Sequence, residues 1–305
     1  MAELSLSFGF HPNQLEIDAG DLNIRTAPDH ESIVADFRSV EVIESDWVYA
    51  PPQRARDFIT GAVRDKPYSA RVFRLPKTHT ISHRRADDED HLVFHLWSLS
   101  LFTGLRLTAT EAGFLDATPV KPGKLVDFTP FSDDLSQSID LTERFWTDNR
   151  RNPRQSHRFE AAVHALFLAQ YPPALQFERF LYLYAALDAC YALATEIQPP
   201  NARIAHAKRA EWLCQLFDMN VPEWADSSNS GGAEIAAIRN DAVHEALYMD
   251  QPLGFGLHGI NSNQNLTLEL QALICRFLVA LIGGSNTSYV KSPVDTRSIC
   301  RLSLT

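Results

Sequence analysis

Two long apolar segments in the second half of the chain constrain its fold more than any other feature. In each, apolar residues recur at three- and four-residue steps, which places them on one face of a helix. The segments cover 177–191 and 266–281, and Gly283-Gly284 ends the second. Shorter helical patterns lie near 159–170, 203–218 and 232–249. Because almost no strand pattern interrupts these five segments, residues 151–305 are predicted to form an all-α bundle.

The first half has the patterns of a β-rich domain. In LSLSFGF at 4–10, apolar residues alternate with small ones, which is typical of a strand with one buried face. Further strand candidates lie near 22–27, 69–75, 104–110 and 124–129. The segment 91–104 is predicted to be a helix that ends at Gly104. The chain is therefore predicted to be α+β, with a mixed, mostly antiparallel β-rich N-terminal domain over 1–150 followed by the helical domain over 151–305.

A polar, basic stretch, TDNRRNPRQSHR at 147–158, is predicted to link the two domains. Its arginines and a second basic cluster in the helical half could guide an RNA backbone. They are equally typical of a linker and of a solvated helix face, so both interpretations stay open. The two clusters are Arg150, Arg151, Arg154 and Arg158, and Arg203, Lys208 and Arg209.

Charge and composition indicate a globular cytoplasmic protein. The chain has 28 Lys and Arg against 38 Asp and Glu, a formal net charge of −10, which argues against a non-specific nucleic-acid binder. The N-terminus has no signal-peptide pattern, and the longest apolar run, 273–282, is too short to span a bilayer and contains Arg276. The four cysteines form no CxxC pair, so no zinc knuckle or redox motif is predicted. We expect no cofactor and no membrane partner.

The stretch AAIRNDAVHEAL at 236–247 carries the strongest functional signal. It is predicted to lie on a helix that begins near Ala233. At about 100° per residue, four small or apolar side chains share the face that packs into the bundle. They are Ile235, Ile238, Ala242 and Ala246. Asn240 and His244 lie opposite that face, so His244 is expected to point away from the core of its own domain.

Two residues that follow His244 suggest a partner surface. Leu247 and Tyr248 are poor choices for plain exposure and are therefore predicted to form a dimer interface. Arg239 sits to one side, and its long side chain can swing toward His244. A solvated helix face that happens to carry an arginine and a histidine is the simpler alternative.

One six-residue stretch resembles a known family motif. The segment RNDAVH at 239–244 fits the R-x4–6-H motif of the HEPN superfamily, including the polar residue after the arginine. The segment LQFERFLYLYAALDACYAL at 175–193 resembles the long helix of the HEPN bundle. A β-rich half followed by such a bundle is similar to the ApeA-like HEPN proteins of bacterial anti-phage defence, and SLSLFTG at 98–104 adds to that resemblance.

The resemblance implies a metal-independent endoribonuclease in which two protomers share a composite site. His244 would transfer the proton of the ribose 2′-hydroxyl or of the 5′-oxygen leaving group, and Arg239 would hold the scissile phosphate. Asn240 would orient the phosphate or the imidazole, and Asp241 would bias the tautomer of His244. The implied substrate is RNA, the implied assembly a homodimer, and the implied product a 2′,3′-cyclic phosphate.

The same resemblance implies a role in anti-phage defence or abortive infection. The N-terminal domain would then be a sensor or regulatory domain that responds to a phage-derived trigger. Two alternatives stay open: a non-catalytic HEPN dimer that binds a nucleotide or protein partner, and a toxin neutralised by an antitoxin. In toxin members a tyrosine follows two residues after the histidine, whereas here that position is Ala246 and Tyr248 comes four after.

Asp188 interrupts the apolar run ALDACY. A carboxylate in an otherwise buried helix needs a partner. Arg239 is the predicted partner, which would make Asp188 a supporting residue that positions the arginine.

Four histidines, His79, His83, His91 and His95, crowd into a short segment of the first half. His91 and His95 lie one helical turn apart, which is a possible metal pair. No third ligand stands at a recognisable spacing. These histidines are therefore predicted to lie at the surface or at the start of a helix, and no metal is expected.

Overall fold

The computed structural model describes residues 3–39, 43–50, 52–69, 75–109, 117–128, 132–228, 233–254, 266–294, 302 and 304. The chain divides into two compact units, Met1–Leu125 and Val126–Thr305. Helices and antiparallel sheets both occur, so the fold is α+β, as predicted.

A four-stranded antiparallel sheet is the largest sheet of the first unit. Its strands are β1 (Leu4–Phe8), β2 (Ile17–Ala19), β3 (Leu22–Thr26) and β8 (His79–His83), in the order β1-β8-β3-β2. Five further strands form a three-stranded sheet, β4-β5-β9, and a hairpin, β6-β7. They are β4 (Ile43–Glu44), β5 (Trp47–Tyr49), β6 (Pro52–Arg56), β7 (Val63–Ser69) and β9 (Ala117–Pro119).

Two helices belong to the first unit, α1 (His30–Arg38) and α2 (Glu89–Thr103). The Asp88 side chain caps the N-terminus of α2 by accepting from the backbone N–H of His91 at 3.1 Å. Gly104 ends the helix with φ 60°, in the left-handed region that glycine adopts at little cost. The predicted helix and its glycine end are confirmed.

The strand candidates of the first half have mixed outcomes. Those at 4–10 and 22–27 are confirmed by β1 and β3. The candidate at 124–129 is wrong over its described part, because Gly123 at φ 80° turns the chain and Leu125 donates to the Gly104 carbonyl. The candidate at 104–110 is reduced, in its described part, to one bridge between Thr108 and Gly9. That at 69–75 falls mainly on residues outside the described ones.

The second unit is mainly helical. Its helices are α3 (Ser132–Asn149), α4 (Pro153–Leu168), α5 (Gln176–Ile197), α6 (Arg209–Leu216), α7 (Glu234–Asn240), α8 (Leu266–Val279) and α9 (Ser288–Lys291). A short hairpin joins β10 (Leu247–Tyr248) to β11 (Gln251–Pro252). Helix α5 packs against α4, α6 and α8, and their apolar faces form the core, which includes Phe159, Phe180, Leu187 and Phe277.

The division between the units lies at Leu125/Val126, earlier than the predicted boundary at residue 150. Helix α3 accounts for the difference, because it packs against α4 within the second unit. The basic stretch at 147–158 joins two helices of that unit instead of linking two domains.

Two helices of the second unit are long and apolar enough to cross a membrane by length and composition alone. They are α5 and the segment Leu266–Gly284, which contains α8. In the fold, 44% and 72% of their most apolar windows are buried. This burial is consistent with core helices of a soluble protein.

Candidate functional site

The arginine and histidine of the RNDAVH segment meet because the helix changes its winding between them. After α7 the chain forms a π-helical turn over Asp241–Glu245, and the Ala246 N–H donates to the Asp241 carbonyl five residues back. In an α-helix, side chains five positions apart point about 140° away from each other. A π turn winds more slowly, with hydrogen bonds from i to i+5, so the angle between them becomes smaller. Arg239 Nη1 therefore lies 3.4 Å from His244 Nε2.

The predicted division of this segment into a buried and an exposed face is confirmed except at its C-terminal end. Ile235, Ile238 and Ala242 are buried, and Asn240 and His244 are exposed, as expected. Ala246 is wrongly assigned to the inner face. It is exposed, with φ 56°, because the helix has already ended there.

The expectation that Leu247 and Tyr248 present a surface to a partner is corrected by the structure. Both residues lie on the hairpin strand β10 and not on the motif helix. Tyr248 is 5% exposed, and its ring centre lies 5.7 Å from that of Phe180 on α5. Burial also raises the pKa of Tyr248 to about 12. Tyr248 thus belongs to the core of its own unit, and Leu247 is half-buried beside it.

The predicted pair of Asp188 with Arg239 is wrong. Asp188 Oδ1 accepts from Arg209 Nη1 of α6 at 2.6 Å. Arg239 instead donates to Asn240 Oδ1 at 3.1 Å and lies 6.0 Å above the Tyr184 ring. The reason is packing, because α5 contacts α6, the helix that carries Arg209.

Asp241 does not orient the imidazole in the way that the resemblance implies. Among the described hydrogen bonds, the His244 ring is paired with Arg239 and not with the Asp241 carboxylate. The main-chain carbonyl of Asp241 accepts from the Ala246 N–H inside the π turn.

Tyr184, Tyr191 and His206 were not predicted as site residues, and the structure places them around Asp188, which was. Tyr184, Asp188 and Tyr191 lie at i, i+4 and i+7 and so share one face of α5. The Arg209 guanidinium lies 4.5 Å from the centre of the Tyr191 ring. His206 is on a short 3-10 turn that packs against α7, with Nδ1 4.0 Å from Asp188 Oδ2.

The spacing of two tyrosines and a carboxylate on α5 is a signal that could have been found in the sequence. No comparable pattern marks His206. Its turn is three residues long, which is too short for a periodic pattern of apolar residues to be detected.

Charge in this cluster is dominated by arginine. The pKa of His206 is lowered from its ordinary value, first by partial burial and then by the charge of Arg209. The pKa of Tyr184 is raised, first by burial and then by Asp188. The site therefore places the His206 imidazole, whose lowered pKa favours its neutral form, beside cationic groups. This arrangement suits the binding of a phosphate anion and proton transfer.

The basic cluster that ends the stretch at 147–158 is partly neutralised. Arg158 forms an ion pair with Glu196 of α5 and also donates to the Ala192 carbonyl at 3.4 Å. Arg150, Arg151 and Arg154 are exposed.

The four crowded histidines of the first unit are buried, so the predicted surface position is wrong. The predicted helix start holds for His91, which lies in the first turn of α2. Ring centres lie 4.7 Å apart for His83 and His91, and 5.2 Å for His91 and His95. Nδ1 of His83 accepts from the Arg85 N–H at 3.1 Å, and Nδ1 of His91 from the Asp87 N–H at 3.4 Å.

Each of these two rings therefore has its Nδ1 engaged with the backbone. His79 belongs to a second buried group and lies 5.6 Å from His11 and 5.2 Å from His30 between ring centres.

Comparison of the chain with protein-family models, with curated proteins and with solved structures finds no significant match. The site is therefore interpreted from its own geometry and chemistry.

Proposed function

We propose that the chain is a metal-independent endoribonuclease whose reacting groups lie around Arg239 and His244. The observation that carries the proposal is the distance of 3.4 Å between Arg239 Nη1 and His244 Nε2, on a turn where His244 is exposed. An imidazole beside a guanidinium combines proton transfer with phosphate binding. The two together are sufficient chemistry for cleavage of RNA through its 2′-hydroxyl.

Substrate would reorganise this pair. A guanidinium only donates hydrogen bonds, so in the free chain His244 Nε2 accepts from Arg239. A scissile phosphate would draw Arg239 to its oxygens through charge-assisted hydrogen bonds. His244 Nε2 is then free to carry a proton to or from the reacting oxygens, and Asn240, next to Arg239 at 3.1 Å, is placed to hold the phosphate with it.

The resemblance to HEPN proteins adds a homodimer, a cytoplasmic location and a role in anti-phage defence to the proposal. We assign the interface to the motif turn at Val243 and not to Leu247 and Tyr248. Val243 is 50% exposed and lies directly before His244, whereas Tyr248 is covered by its own unit.

Cleavage of a labelled RNA by the purified full chain in the presence of EDTA tests the proposal. We expect wild type to release fragments with 2′,3′-cyclic phosphate ends. His244→Ala and Arg239→Ala should each lower kcat by about 10²–10⁴-fold, the usual contribution of a proton-transfer group or of transition-state charge stabilisation. His157→Ala is the matched control, because His157 is an exposed histidine on α4, away from the motif.

Three outcomes would overturn the proposal. They are a strict Mg²⁺ requirement, full activity in His244→Ala, and equal cleavage of an RNA with a 2′-deoxyribose at the scissile position, since this chemistry needs the 2′-hydroxyl. Saturable nucleotide binding without turnover would favour the alternative, a non-catalytic binding module built on the same arginines.

A further inference from the structure

His206 is the second histidine of the polar cluster around the motif. We propose that His206 is the general base of the proposed ribonuclease, that His244 is its general acid, and that Asp188 positions the His206 ring. The inference rests on the proposed function of this site and names a reacting residue that the RNDAVH segment does not contain.

The geometry around Asp188 resembles that of a carboxylate–histidine pair. The two carboxylate oxygens of Asp188 have different partners. Oδ1 accepts from Arg209 Nη1 at 2.6 Å, and Oδ2 lies 4.0 Å from His206 Nδ1. The ion pair with Arg209 fixes the carboxylate, since the Arg209 side chain is only 18% exposed and also covers the Tyr191 ring. A carboxylate facing Nδ1 favours the proton on that nitrogen and leaves the lone pair on Nε2.

Access distinguishes His206 from a structural histidine. Its side chain is 50% exposed, and His244 is exposed as well. The 3-10 turn that carries His206 packs against α7, the helix of Arg239, and His244 Nε2 lies 3.4 Å from Arg239 Nη1. A phosphate held by Arg239 would therefore lie close to both imidazoles.

The charges around His206 suit a base. Charged groups face it from each element packed against it: Asp188 on α5, Arg209 on α6, Arg239 on α7, and Arg203 on the preceding segment. Partial burial and the three arginines lower its pKa, and Asp188 opposes them. The neutral, proton-accepting form is therefore favoured at neutral pH.

The reaction balances with these two groups. His206 Nε2 removes the proton of the ribose 2′-hydroxyl, and the 2′-oxygen forms a bond to phosphorus. The bond from phosphorus to the 5′-oxygen breaks, and His244 gives its Nε2 proton to that oxygen. His244 takes up this proton from solvent once the phosphate has drawn Arg239 away from Nε2. The products are a 2′,3′-cyclic phosphate and a 5′-hydroxyl, and the two imidazoles exchange protons with solvent to restore the starting state. Both proton-transfer groups then come from one chain, and the partner's motif is not required for the chemistry.

Steady-state RNA cleavage across pH by the full chain tests the inference. For His206→Ala we expect kcat to fall by about 10²–10⁴-fold with KM nearly unchanged, and the acidic limb of the pH profile to disappear. Added imidazole should partly restore activity to His206→Gly. The control is again His157→Ala, which should keep both the rate and the profile.

Two neighbouring substitutions should move the acidic limb in opposite directions. Asp188→Asn removes the group that raises the pKa of His206, so the limb should shift to lower pH. Arg209→Gln removes a group that lowers it, so the limb should shift to higher pH. A merely structural role of either residue would change the rate without shifting the limb.

The failures of the two proposals are distinguishable. If wild type cleaves no RNA, the proposed function fails and this inference with it. If wild type cleaves and His244→Ala does not, but His206→Ala keeps its rate and its acidic limb, only the assignment of His206 is overturned. A folded His206→Ala chain, verified by circular dichroism, with lost activity and rescue of His206→Gly by imidazole supports the assignment.

Discussion

All six histidines of the first unit are buried, whereas the four that the structure describes in the second unit are partly or fully exposed. The buried ones are His11, His30, His79, His83, His91 and His95, and the others are His157, His164, His206 and His244. From the sequence alone, the first group is the more conspicuous, because four of its histidines lie close together between residues 79 and 95. The difference teaches that the surroundings of a histidine, and not its density in the sequence, decide what it can do.

The consequence of burial is visible in the pKa values. Burial, with smaller contributions from neighbouring histidines, lowers the pKa of His79 to about 3 and that of His11 to about 4. Such rings stay neutral at physiological pH and act as packing groups with polar edges. His206 keeps half of its side chain in solvent and lies among charges, so its protonation can respond to a bound phosphate.

The sharpest test of this contrast is acidification. In the unfolded chain these histidines take up protons near pH 6.5, whereas folded His11 and His79 resist protonation until about pH 4 and 3. Folding stability is therefore complete above pH 6.5 and falls as pH drops toward 4. At about 1.4 kcal/mol per pKa unit, the loss is on the order of 5 kcal/mol.

Hydrogen exchange measured at pH 7 and pH 4.5, after correction for the intrinsic rate, should show β1, β3 and β8 losing protection before α5 and α8 do. Titration of the His11 and His79 ring protons by NMR with midpoints near pH 6.5 would contradict the prediction.

A second test concerns the buried charge of the second unit. Arg276 is 1% exposed, pairs with Asp127 at 2.6 Å, and donates to the carbonyls of Ala272 and Ser292. Arg276→Ala should lower the free energy of unfolding by about 3–5 kcal/mol, because it leaves a carboxylate and several carbonyls without their donor. Denaturant unfolding measures the loss. Arg144→Ala, at an exposed position, is the control and should change stability by less than about 0.5 kcal/mol.

The smallest expected change in stability comes from substitutions at two helix ends. Gly104 ends α2 at φ 60°, and Ala246 ends the π turn at φ 56°, nearly the same left-handed conformation. Because a side chain in this region costs about 1 kcal/mol, Gly104→Ala should destabilise the chain by about that amount and Ala246→Gly should stabilise it by about 0.5–1 kcal/mol. Thermal unfolding of the two variants measures both. Stabilisation by Gly104→Ala, or a loss of stability in Ala246→Gly, would show that backbone strain is not the deciding factor.

Much of the fold follows from local patterns. The helical periods at 177–191 and 266–281 correspond to α5 and α8, and Gly104 ends α2 because glycine suits the left-handed cap. The strand candidate near 124–129 failed because an apolar run can be buried in turns as well as in a strand. The division between the units precedes the predicted boundary because α3 carries a polar sequence yet packs with the second unit.

The sequence by itself determined the residues of the candidate site, Arg239, Asn240 and His244, and the exposed face on which the last two lie. Only the tertiary structure decided how they meet. Whether a helix continues as α or widens into a π turn changes the direction of every later side chain. The pairing of Asp188 with Arg209, and the place of His206 beside them, likewise depends on how α5, α6 and the turn between them pack together. Periodicity describes one helix at a time and carries no information on such contacts.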